Sequence, residues 1–102
     1  MAIPQPGLVA VVATGGVAVT VIPGGVNGGF IQNPSDPADQ GIGTAEPLYV
    51  NAVAAPGAGP GQGNGTTFVL YPGDRWDVIP GQVTPTQVNA LTSGHKFSVT
   101  YW

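Results

Sequence analysis

The stretch Gly65–Trp102, GTTFVLYPGDRWDVIPGQVTPTQVNALTSGHKFSVTYW, holds both tryptophans, both basic residues and the only histidine of the chain. Thr67–Tyr71 concentrates β-branched and aromatic residues and stops at Pro72-Gly73; Arg75–Ile79 resumes the pattern and stops at Pro80-Gly81. Runs of this kind broken by Pro-Gly predict two strands and two turns. Gln87–Leu91 and Lys96–Trp102 repeat the pattern around Thr92-Ser93-Gly94-His95, whose glycine can supply the positive φ that a tight hairpin needs. The block reads as an antiparallel meander of four strands. Within its last strand, alternation buries Phe97, Val99 and Tyr101 and exposes Lys96, Ser98, Thr100 and Trp102.

Upstream, Glu46–Val53 reads as a further strand, with Leu48, Val50 and Ala52 on one face and Tyr49, Asn51 and Val53 on the other. Ala54–Gly65, AAPGAGPGQGNG, lacks the bulky side chains that would offset its ordering entropy, so a mobile spacer is expected there. Pro23–Ala45 reads as a long surface loop with a short strand at Phe30–Asn33. Leu8–Ile22, LVAVVATGGVAVTVI, is apolar on both faces of both its halves, which predicts a hairpin turning at Thr14-Gly15-Gly16 or an extended arm lying on a neighbour. It is shorter than the roughly 20 residues of a membrane span, and Gly15-Gly16 divides it. Met1–Gly7 carries no basic residue and two prolines, unlike a secretory leader. The sum is one all-β domain over residues 1–102, an antiparallel β-sandwich or small jelly roll of seven or eight short strands with long Gly/Pro loops. Residues 46–102 form its core, and residues 1–45 an apolar hairpin or arm plus a loop.

Composition narrows the function classes. Charged residues are 7% of the chain against roughly 25% in an average domain, while Gly (17) and Pro (11) are over-used. Such a surface is easily buried against a partner, because few charges must be desolvated. A net charge of −3 with two cations argues against nucleic acid, which needs a basic patch. Without cysteine there are no disulfides and no thiolate metal sites.

No catalytic, cofactor-binding or metal site is expected. A metal at His95 would need two carboxylates beside it, and a nucleophile pair would need Ser93 or Ser98 to meet it across a turn; the expected place of His95 is exposed at the mouth of the last hairpin. Asp74 and Asp77 fall on opposite strand faces, unlike a glycosidase pair, and Asp74 reads as a turn residue. Asp36 and Asp39, with Asn33, match no calcium loop and read as Asx-turn residues. The glycines at 59, 61, 63 and 65 lack the Lys-Ser/Thr of a phosphate loop, and Asn64-Gly65-Thr66 is a sequon relevant only to a secreted eukaryotic protein. For recognition there remain aromatic side chains: Trp76, Trp102 and Tyr49 as platforms of a sugar-binding module, Trp76 as core, and Trp102 as a protein contact.

The run EPLYVNAV, a Gly-rich spacer, TTFVLYPGDRWDVIPG and then TQVNALTSGHKFSVTYW resembles small β-structured proteins encoded among the head genes of tailed bacteriophages. In these a strand ending in L-x-PG is followed by W-x-x-IPG and a closing V-N-A-x-T-x-G-H-x-F strand. The resemblance covers Glu46–Trp102 and specifies turns and packing rather than a site. It implies a capsid decoration or cementing protein, often trimeric, bound to the major capsid protein on the outer capsid surface and present in the host cytoplasm during assembly. The expected partner-binding residues are Leu8, Val9, Val11, Val19, Val21 and Trp102. The alternatives are a minor head–tail or fibre component and a carbohydrate-binding β-sandwich module.

Overall fold

The computed structural model describes residues 8–53, 57 and 66–102, with Leu8 and Val9 in backbone only. The spacer expected at Ala54–Gly65 therefore lies, Gly57 aside, outside the described residues, as do Met1–Gly7 and most of the sequon. Among the described residues eight strands follow one another: β1 (Leu8–Val12), β2 (Val19–Ile22), β3 (Gly29–Gln32), β4 (Leu48–Asn51), β5 (Phe68–Leu70), β6 (Arg75–Asp77), β7 (Thr86–Asn89) and β8 (His95–Tyr101), with one short helix, α1 (Pro37–Gln40), before β4. They form two four-stranded antiparallel sheets packed as a sandwich, sheet A in the order β1-β8-β3-β6 and sheet B in the order β2-β7-β4-β5. The all-β sandwich expected from the sequence is the observed fold.

Pairing differs from expectation in three places. The four strands after Gly65 are not a meander: β5 pairs with β4, β6 with β3, β7 with β2 and β4, and β8 with β1 and β3. The cause lies at Pro72-Gly73. Gly73 N–H donates to Asn33 O (2.8 Å) and Asn33 N–H to Asp74 O (3.0 Å), so this turn docks on the end of β3 and sends β6 to that strand instead of back along β5. Asp74 nevertheless acts as the expected turn residue, its Oδ2 accepting from Tyr71 N–H at 3.0 Å.

Leu8–Ile22 is likewise no hairpin. Its halves enter different sheets, and residues 13–18 cross between them beside the β7–β8 connection, which makes the parallel crossing. Gly16 N–H donates to Ala90 O (2.8 Å) and Gly15 N–H to Ser93 Oγ (2.9 Å). Residues 8–45 belong to the sandwich rather than to an arm: β1, β2 and β3 supply three of the eight strands, and β3 is an inner strand of sheet A. The short strand expected at Phe30–Asn33 is there, and in the loop after it Asp36 caps α1, its Oδ1 accepting from Ala38 N–H at 2.9 Å, with Pro37 at the first helical position and Gly41 in the left-handed conformation at the end (φ 73°). Only a single turn fits between Asp36 and Gly41, too short to leave a helical period in the sequence.

The core joins both sheets: Val12, Ile31, Phe97 and Val99 from sheet A and Ile22, Leu48, Val50, Leu70 and Val88 from sheet B, with Val78 and Ala90. The alternation expected along β8 holds, with Phe97 and Val99 buried and Tyr101 packed against the core. In β2 a register shift between Thr20 and Ile22 lets Val21 and Ile22 both reach the core. Strand β4 is buried on both faces, so Tyr49 and Asn51 are covered too.

At the crossing, a Cβ on Gly15 would stand 2.3 Å from Leu91 O, a backbone atom that cannot swing aside. Gly15→Ala is expected to lower the urea-unfolding free energy by about 1–3 kcal/mol, the range of a backbone clash, with an unchanged slope against denaturant.

Candidate functional site

The polar cluster of this fold is buried. Asn33 follows β3, and its side chain reaches four chain segments. Its Nδ2 donates to Glu46 O (2.9 Å), ahead of β4, and to Leu70 O (2.9 Å) in β5. Its Oδ1 receives Gln40 Nε2 (3.0 Å) from α1 and His95 Nε2 (2.8 Å) from β8. Gln40 completes the mesh, donating to Pro34 O (2.7 Å) and Glu46 O (3.1 Å) and accepting from Glu46 N–H (2.9 Å). Asn33, Gln40 and His95 are all fully buried. The Glu46 carboxylate points outward and takes the Thr92 hydroxyl at 2.6 and 2.8 Å.

His95 is thus not at an exposed hairpin mouth. It sits at the start of β8 with 0% exposure, on the inner face with Phe97, because it opens a strand whose odd-numbered residues all point inward. An amide oxygen only accepts, so His95 Nε2 carries the proton, and Nδ1 is left buried with no partner. Burial lowers the His95 pKa, and the nearby Glu46 carboxylate partly offsets this. The cluster has no open face for a substrate; it is a brace between the sheets. Sequence reasoning missed it because the Asn33–His95 contact spans 62 residues.

An open cleft of about 420 Å³ is lined by Gln32, Pro34, Ser35, Asp39, Phe97 and Ser98. Asp39 is the only titratable side chain in that lining, so no acid–base pair converges there. Among the described residues, no group of three or more His, Asp or Glu is placed to hold a metal ion.

Of the six residues expected to contact a partner, Leu8, Val9 and Val11 lie on β1, Val19 and Val21 on β2, and Trp102 directly after β8. Val11 faces outward on β1, 44% exposed, while Val19 and Val21 are half-buried against the core. Leu8 and Val9 pair with Val99 and Ser98 across β1 and β8, and their side chains lie outside the described residues. Trp102 is 39% exposed; its ring lies on Gly28, where a Cβ would come within 2.8 Å of the indole, and its backbone is tied to Gly28. Of the other proposed aromatic platforms, Trp76 packs inward against the core and Tyr49 is buried, so neither offers a face to a sugar. Searches among known protein families, curated proteins and solved structures find no match to this chain.

The unpartnered Nδ1 makes the fold sensitive to acid. The unfolded chain takes up a proton on His95 below roughly pH 6.5, whereas the folded chain resists it, so the unfolded state binds more protons and stability falls as pH falls from there toward the lowered folded-state value. Unfolding free energies measured from pH 7.5 down to 5 are expected to decline, and His95→Gln, which keeps a donor for Asn33 but does not titrate, is expected to flatten that profile.

Proposed function

We propose that this chain is a structural protein of a virion, a capsid decoration protein that binds the outer surface of a phage head as a homotrimer and bridges neighbouring capsomers of the major capsid protein. The observation that supports this reading is the surface. Phe68, Tyr71, Ile79, Val83, Leu91 and Val17 are each more than half exposed; they come from β5 and from four connections between strands, and none of them lines the cleft. Of the two cations, Arg75 is already committed, ion-paired with Asp77 at 2.8 Å and stacked over the Phe30 ring at 4.3 Å. A small rigid sandwich with many exposed apolar side chains and few charges to desolvate suits repeated weak contacts on a lattice, where affinity accumulates over many sites.

The test is cosedimentation with heads of the phage that encodes the protein. Saturable binding to assembled heads, with none to free coat subunits, is the expected result. Equal binding to free subunits, or no binding to heads, would overturn the reading.

A further inference from the structure

We propose that copies of this chain join head to tail through sheet B, the edge of β5 in one copy adding to the edge of β2 in the next as an antiparallel pair, both edges being unpaired among the described residues. The proposal deepens the oligomeric part of the reading above and does not depend on the shell.

The charge map carries the first half of the argument. The chain's five carboxylates and two cations fall between Asp36 and Glu46, between Asp74 and Asp77, and at Lys96. None lies in a strand of sheet B, whose strands read VTVI, LYVN, FVL and TQVN. Natural sheets protect exposed edges with charges, prolines or bulges that obstruct an incoming strand. Sheet A does so at one edge, where β6 carries Arg75 and Asp77, so adding its other edge, β1, to β6 of a second copy would bury that ion pair. Sheet B alone has two uncharged edges. On β5, Phe68 and Val69 are 56% and 39% exposed, and on β2 Thr20 is exposed. The irregularity in β2 between Thr20 and Ile22 leaves Val19 and Thr20 in regular register with β7, hence regular at the free edge.

Strand sense supplies the second half. β2 is antiparallel to β7, β7 to β4 and β4 to β5, so the two edges of sheet B run in opposite directions. A second copy held with its strands in the same sense therefore presents β2 antiparallel to β5, continuing the alternation of the sheet. Rotation about an axis along the strands repeats this contact and closes a ring, the heterologous geometry of cyclic oligomers. A foreign strand could satisfy one edge; a second copy satisfies both with a single type of contact, and the three residues of β5 are enough to span the regular pair Val19–Thr20 of β2.

The experiment is solution mass by size exclusion with light scattering, on the wild type and on two edge variants. Phe68→Lys/Val69→Lys puts charge on both faces of β5, and Val17→Lys/Thr20→Lys charges the β2 edge; all four positions are exposed, and circular dichroism and melting check that the fold is kept. Single Val69→Lys and Thr20→Lys replace them if either double variant unfolds. The wild type is expected at a multiple of 10.2 kDa, each edge variant at one copy, and their equimolar mixture at two copies and no more, because each brings one intact edge. Val11→Lys on β1 is expected to keep the wild-type mass. A wild type that stays monomeric at all concentrations, an edge variant that alone keeps the wild-type mass (as a two-fold β5–β5 contact would allow the β2 variant), or a mixture that stays monomeric overturns the proposal. A protein that assembles this way but ignores phage heads would contradict the decoration reading and leave the pairing intact.

Discussion

The Asn33 side chain is the contact on which this sandwich depends. It stands where β3 ends, between the sheets, and binds backbone of β5 and of the segment entering β4 while accepting from α1 and β8. Buried polar groups of this kind are costly only when unpaired; leaving one donor or acceptor unmet costs about 1–3 kcal/mol. Asn33 meets several at once, so its removal would orphan groups on both sheets. Its backbone also receives the turn at Gly73 and Asp74, which diverts β6 away from β5. One residue thus both braces the sheets and holds the turn at which β6 leaves sheet B for sheet A.

That alternation has a consequence for the surface. The connections β1–β2, β2–β3, β3–β4, β5–β6, β6–β7 and β7–β8 all cross the sandwich, and only β4 and β5 are sequential neighbours in one sheet. Charges that are neighbours in sequence, such as Asp74, Arg75 and Asp77, are thereby delivered to the edge of sheet A, together with the acidic residues around α1. Sheet B is left with none. A sheet whose own strands carry no charge is suited to bury its edges, even with Glu46 standing just ahead of β4.

The strands themselves were legible in the sequence. β-branched and aromatic runs stopped by Pro-Gly mark β5 and β6, and the alternation KFSVTYW marks β8 from Lys96 onward with the correct inward face. Partners were not legible, because a period of two specifies which face is buried and not which strand lies alongside. A Pro-Gly turn looks the same whether it closes a hairpin or crosses between sheets; what separates them here is a bond from Gly73 to Asn33, forty residues away. His95 was misplaced for a related reason. A histidine after Ser-Gly suggests an exposed turn, and the acceptor that allows its burial comes from a loop read as mere turn chemistry. Asp36 was read correctly because its partner, Ala38 N–H, is local.

The most direct test of the sheet B account is residue-resolved amide hydrogen exchange by NMR on the protein at high and low concentration. The account predicts that the edge-facing amides of Val19–Ile22 and Phe68–Leu70 are protected at high concentration and lose that protection on dilution, while the edge-facing amides of Arg75–Asp77 exchange rapidly throughout. Exchange at the β2 and β5 edges as rapid as at β6, at every concentration, would contradict it.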